Sequence, residues 1–166
     1  MPDPAPTPLP TFPALAFPPL PAHVSVALRR GAGGRVEVLD VLRRRYVAAT
    51  PEEWVRQHVA AFLVAHRGVP PGLVAVERGV GGAVSRRFDL VVCGADGRAR
   101  LLVECKAPSV ALGEAVYAQA ARYNRTLGAA LVLVTNGLRH AVYRPGTADG
   151  DAAVFLPDVP PFAEMT

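Results

Sequence analysis

The sequence contains no isoleucine, and of its 18 basic residues only one, Lys106, is a lysine. Side-chain amides are almost as scarce: Gln57, Gln119, Asn124 and Asn136 are all there are. Two cysteines, Cys93 and Cys105, are too few for a disulfide framework or a four-cysteine zinc site. No apolar run approaches the roughly 20 residues needed to span a bilayer. The opening MPDPAPTPLP has neither the cationic region nor the unbroken apolar stretch of a secretory signal. The glycine-rich stretches GAGGR (31–35) and GVGGAVS (79–85) lack the Lys-Ser/Thr of a phosphate-binding loop, so no ATP motor is encoded. His23, His58, His66 and His140 have no metal-ligand spacing, and His58 reads as a core histidine. These absences fit a cytoplasmic, non-membrane protein, and 166 residues suit one domain.

What is present is an ordinary globular composition, 51% hydrophobic and 19% charged. The net charge is +4, but residues 22–150 hold all 18 basic residues against 10 acidic ones. Such a balance suits a polyanionic partner as well as simple solubility. The missing isoleucine and lysine point to a coding bias that replaces them with valine and arginine wherever physics allows. A lysine that survives such a bias marks a place where an ammonium point charge is needed. Lys106, Gln119, Asn124 and Asn136 fall within 31 residues, and chemistry is expected there.

Nine of the 17 prolines lie in residues 1–21, which predicts a disordered or polyproline-like arm. Residues 151–166 read as a C-terminal tail, leaving 22–150 as the domain. His23–Leu28 and Arg35–Leu39 predict an N-terminal β-hairpin. Thr50-Pro51-Glu52-Glu53 predicts a helix start, with Thr50 as cap, Pro51 at the first position and Glu53 completing a capping box. That helix runs to about His66, before Gly68 and Pro70. Strands follow at Leu73–Glu77, Arg87–Cys93 and Arg98–Lys106, then a helix over Ala111–Leu127. An apolar strand at Leu131–Thr135 and another at Ala141–Arg144 complete the domain. The fold class is α/β: an α+β mixed sheet with helices on its faces, in the order αβββαβ.

With Asp96-Gly97 at the centre of a two-residue turn, Asp89 faces Glu104 across the hairpin, and Lys106 shares their face two residues on. Two opposed carboxylates repel. A divalent cation between them offsets this, since hard oxygen ligands suit Mg2+ or Mn2+. Protonation of one acid, or neutralisation by Arg87 and Lys106 on an exposed face, would also do so. The flanking VVC and LLV runs favour a buried sheet, where unpaired charge is costly. Cys105, between the two polar residues, points to the opposite face as a small buried hydrophobe.

Asp89 followed by Glu104-Cys105-Lys106 resembles the D…(D/E)xK core of the PD-(D/E)xK nuclease superfamily, with Phe88 in place of the name-giving proline. The wider stretch PEEWVRQ…RRFDLVV…LLVECKAP…QAARYN…LVLVTNG is similar to the N-terminal domain of type I restriction enzyme R proteins, in particular to short stand-alone relatives, over roughly residues 43–144. The resemblance implies a restriction-endonuclease-like fold and Mg2+- or Mn2+-dependent hydrolysis of DNA, endonucleolytic rather than exonucleolytic. It implies Asp89, Glu104 and a helical Glu52 as metal ligands, and Lys106 as the residue that orients water or stabilises phosphate charge. Glu52 equally reads as a partner of the helix dipole, the role expected of Glu53. Gln119 and Tyr123, four apart on one helix face, support the site or simply pack. Arg86, Arg87, Arg122 and Arg125 are candidate phosphate contacts or solvated surface, and Glu77 an outer carboxylate or surface. A protein partner supplying a motor or target recognition, and a homodimer, are also expected. A non-catalytic nucleic-acid-binding module of the same fold is the competing expectation. A partner-binding protein working through the proline-rich arm is a third.

Overall fold

The computed structural model describes residues 8–76, 79–80, 86–146 and 151–166, with 79, 80, 86 and 87 described as backbone alone. Thr50 starts helix α1 (Pro51–Arg67) by accepting the Glu53 N–H on its hydroxyl, and Gly68, at φ 69°, ends it. Only half of the expected capping box forms. Glu53 turns its carboxylate inward to Arg56 and Gln57 instead of back to Thr50.

Strands β1 (Leu28–Arg30), β2 (Val36–Asp40) and β3 (Arg45–Ala48) form a three-stranded antiparallel sheet. The first strand of the expected hairpin lies at Leu28–Arg30 rather than His23–Leu28, and the hairpin gains a third strand, which the arginine run 43–45 obscures in the sequence. Beyond α1 come β4 (Val74–Val76), β5 (Gly79–Val80), β6 (Arg86–Arg87), β7 (Leu90–Cys93), β8 (Ala99–Cys105), α2 (Glu114–Leu127), β9 (Leu131–Thr135), β10 (His140–Arg144) and β11 (Val154–Leu156). The main sheet has the order β11-β10-β9-β8-β7-β4. The β8/β9 pair is parallel, joined through α2, and every other pair is antiparallel. The result is a mixed α/β architecture whose main sheet keeps the αβββαβ order read from the sequence through β4, β7, β8 and β9, while the short pair β5–β6 lies outside it.

Strand β8 is buried on both faces, and its period of two divides the core. Leu101, Val103 and Cys105 pack with Val55, Val59 and Leu63 of α1, while Leu102 packs with Val116 and Ala120 of α2. Each fully buried leucine of this kind contributes about 2 kcal/mol.

The β7–β8 hairpin departs from the expected turn twice. Gly94 N–H bonds Arg98 O and Gly97 sits at φ 77°, so the loop has three residues, not two. A bulge between Val92 and Cys93 then leaves Arg100 without a facing partner. The two shifts cancel, and Leu90, Val91 and Val92 face Val103, Leu102 and Leu101 in the expected register.

Both termini correct the expected domain limits. Residues 8–21 are not a free arm. Leu15 and Phe17 pack against the α1-side core, Phe12 stacks on Trp54 with ring centroids 4.9 Å apart, and the Pro13 carbonyl accepts the Trp54 indole N–H. Proline supplies no N–H, so the strap is held by its carbonyls, by apolar contacts and by the Ala16 N–H on Gly137 O. Gly137 is required at that crossing. Its φ is 82°, and a Cβ there would stand 2.7 Å from Leu15 and 3.0 Å from Val55. At the other end, β11 pairs with β10, and Val159 and Met165 are buried, so residues 151–166 belong to the domain rather than to a tail.

Candidate active site

Strand β7 begins at Leu90, and Asp89 lies in a bend just ahead of it. The ladder ends at Leu90 and Val103, so the expected pairing of Asp89 with Glu104 is replaced by a bond from the Asp89 side chain to the backbone of β8. The Cys105 N–H donates to Asp89 Oδ2 at 2.6 Å, and the preceding residue of β8, Glu104, turns to the α2 side. There Lys106 Nζ donates to Glu104 Oε1 at 2.6 Å and to Gln119 Oε1 at 3.2 Å. Gln119 Nε2 in turn donates to the Tyr123 hydroxyl at 3.2 Å. Asp89, Glu104, Lys106, Gln119 and Tyr123, drawn from a bend, a strand end and one helix face, are one constellation.

The site is held under electrostatic tension. Burial, and then the charge of Glu104, push the Asp89 carboxyl up to about 7, against the opposing Cys105 N–H and Arg56. Burial likewise raises Glu104, with Lys106 opposing. Burial alone would lower Lys106, but its bond to Glu104 and the surrounding carboxylates outweigh it, and the ammonium is held charged. Glu104 is 3% exposed, so this is a nearly dry carboxylate paired with the Lys106 ammonium.

Glu52 lies exposed in the first turn of α1 and adds its negative charge to the field at Asp89, Glu104 and Lys106. Among the described residues, no group of three or more His, Cys, Asp or Glu side chains is arranged to hold a metal ion. The carboxylates of the constellation itself are two, Asp89 and Glu104.

Arg56 and Gln57, both buried on α1, were not expected at the site, and Glu53 takes a different role from the one expected. Arg56 is ion-paired with Glu53, and its Nη1 stands 3.9 Å from Asp89 Oδ1. Gln57 donates to Glu53 Oε1 at 2.7 Å and accepts the Val41 N–H at 3.0 Å. Glu53 is thus a buried anchor for Arg56 rather than a solvent-facing dipole partner. The i, i+3, i+4 spacing of Glu53, Arg56 and Gln57 was visible. The scarcity that singles out Gln119 also applies to Gln57.

The other scarce amides are structural. Asn124 closes the end of α2 through Ala129, and Asn136 shapes the β9–β10 turn through Leu138 and Arg139 while holding Val110. Cys105 is fully buried and burial raises its thiol, so it is no nucleophile. His58 is half-buried with its ring against the Trp54 carbonyl, and burial lowers its pKa. Arg122 and Arg125 are exposed on α2. The side chains of Arg86 and Arg87, and all of Glu77, lie outside the described residues.

No helix among the described residues is long and apolar enough to cross a membrane. Residues 51–160 match the family model for the type I restriction enzyme R protein N terminus (HSDR_N). No curated protein gives a significant match to the chain.

Proposed function

Because the chain belongs to the family of type I restriction enzyme R protein N termini, we propose that Asp89, Glu104 and Lys106 form a centre for divalent-cation-dependent hydrolysis of DNA phosphodiester bonds. The family ties the chain to DNA restriction; the chemistry and its residues are the proposal.

The observation that carries it is Lys106, 2.6 Å from the nearly buried Glu104, with Asp89 on the intervening Cys105 N–H. The donor set fits Mg2+ or Mn2+. Asp89 and Glu104 are hard oxygen ligands whose like charges a cation would neutralise, with the Cys105 carbonyl and Glu52 as further oxygen donors. When bound, such an ion polarises a phosphate oxygen and acidifies a water. Lys106, steadied by Gln119, presents its ammonium to an attacking water or to charge growing on the phosphate. Tyr123 fixes Gln119 in turn.

Nicking of supercoiled plasmid DNA in Mg2+ or Mn2+ tests this, since endonucleolytic cleavage is expected. Asp89→Ala and Lys106→Ala should each abolish nicking while circular dichroism shows the fold retained. Full activity in either variant discards the mechanism. The second reading, a non-catalytic nucleic-acid-binding module, is favoured by the lack of a gathered third carboxylate among the described residues. Calorimetric Mn2+ binding by a protein that never nicks DNA would select it. A protein partner that brings a motor or target recognition to this domain, and self-association as a homodimer, belong to the same proposal.

A further inference from the structure

The three-stranded sheet β1–β3 precedes the residues that match the family and carries a charge excess that the site does not use. Residues 28–48 contain six arginines and only two carboxylates, Glu37 and Asp40. Both acids are taken. Glu37 pairs with Arg29 at 2.7 Å, and that guanidinium also lies 3.7 Å over the Tyr46 ring. Asp40, fully buried, pairs with Arg43 Nε at 2.5 Å. Arg44 and Arg45 are exposed at the β2–β3 turn, and no carboxylate among the described residues pairs with either.

The turn is built rather than loose. Asp40 Oδ1 accepts the N–H groups of Leu42 and Arg43, and Asp40 O accepts that of Arg44. Arg44 has φ 52°, the only positive φ outside glycine among the described residues. An arginine held in that region costs of order 1 kcal/mol or more, and strain of this kind persists where the surroundings fix it and function uses it. The turn is also wired to the site. Val41 N–H bonds Gln57, Gln57 bonds Glu53, and Glu53 pairs with Arg56 beside Asp89. Three α1 side chains separate the basic turn from the candidate catalytic carboxylate.

We infer that Arg44 and Arg45 form a DNA-phosphate clamp that grips the duplex backbone next to the cleavage site. The inference deepens the proposed function by naming the surface that holds the substrate, and it rests on that reading for the identity of the polyanion as DNA. A rigid turn has no backbone left to order when its guanidinium groups contact phosphate, and phosphate contacts carry no sequence information, so they supply position and not sequence choice.

The test is binding of a short DNA duplex to the full chain in EDTA, where hydrolysis is silent, across a salt series. Arg44→Asn removes the charge and tolerates the positive φ, so the fold is kept. Combined with Arg45→Gln it should weaken binding about tenfold or more and reduce the slope of log K against log salt by about 2, as expected for two phosphate contacts. Arg98→Gln, an exposed arginine that already faces Asp96, should leave both unchanged. An unchanged slope in the double variant overturns the clamp, and so does a wild-type chain that binds no duplex. A clamp that behaves as stated in a chain that never nicks plasmid upholds this inference while removing the catalytic one. Nicking with an unchanged slope does the reverse.

Discussion

Arg56 Nη1 stands 3.9 Å from Asp89 Oδ1 while the same guanidinium is ion-paired with Glu53. One buried cation from α1 thus faces the bend that carries Asp89, as Lys106 faces Glu104 from the end of β8. Each of the two carboxylates that repel each other has a cation nearby, Lys106 for Glu104 and, shared with Glu53, Arg56 for Asp89.

Arg56→Ala removes the partner of a buried carboxylate, and chemical denaturation should show a loss of about 3–5 kcal/mol. Arg56→Lys keeps the charge without the planar fork and should recover part of it. The coupling of Arg56 to Asp89 is read from a double-mutant cycle. In an Asp89→Asn background the penalty of Arg56→Ala should shrink, with a coupling energy of about 0.5–3 kcal/mol. Strict additivity would assign Arg56 to Glu53 alone.

Asp89→Asn should stabilise the metal-free protein at pH 8 and do so less as the pH falls. The wild-type carboxyl is raised from an ordinary value near 3.8 to about 7 by burial and by Glu104. Between those values the folded state holds the proton and the unfolded state does not. Wild-type stability is therefore fully present below pH 3.8 and declines as the pH rises through 7, by an amount on the order of a few kcal/mol. Asparagine still accepts the Cys105 N–H and has no charge to hold. Thermal melts from pH 5 to pH 8 should show the two curves converging at the acidic end, and parallel curves would show that Asp89 is not under tension.

The legible part of the fold is the part written in local patterns. Helix α1, marked by Thr50, Pro51 and Gly68, and the apolar β9 follow from capping and length. The register that sets Leu90 against Val103, one step from Asp89 and Glu104, is legible for a less direct reason. A three-residue loop and the bulge at Arg100 each shift the register by one and cancel. Neither is visible in Gly94-Ala95-Asp96-Gly97, which suits a two-residue turn equally well. Arg56 was missed because an arginine among 17 carries no compositional signal, whereas Lys106 stands alone. The arm was misread because proline density sets backbone stiffness and says nothing of where Leu15 and Phe17 go. The value of those two side chains depends on a groove formed by α1 and the Gly137 turn, which only the tertiary structure supplies.

Asp40→Asn should unfasten the β2–β3 turn. Burial would raise the Asp40 carboxyl, but the Arg43 N–H and guanidinium and the Leu42 N–H outweigh it and hold it below its ordinary value of 3.8. Its contribution is therefore present above pH 3.8 and lost as the pH falls through the lower folded value. The asparagine variant forfeits the charged part of that contribution, roughly 1–3 kcal/mol at pH 7. The difference from wild type should narrow in acid. A variant as stable as wild type at neutral pH would contradict the anchoring role.

The docked strap makes its own prediction, because Trp54 is the only tryptophan and lies beneath it. Deleting residues 1–21 exposes the indole face that Phe12 covers and frees the N–H that Pro13 accepts, so the emission should move to longer wavelength. It also strips Leu15 and Phe17 from the core, where Phe17 lies 5.6 Å from the Phe62 ring and 4.6 Å from that of His140. Phe17→Ala alone should cost about 2 kcal/mol, below the 3–5 of a fully buried phenylalanine because the ring keeps partial exposure. Phe12→Ala should shift the emission with little loss of stability, since that ring covers Trp54 at the surface and fills no core. If the full chain and the deletion share one emission maximum and one melting temperature, the strap is undocked in solution and residues 8–21 are the free arm that their prolines predict.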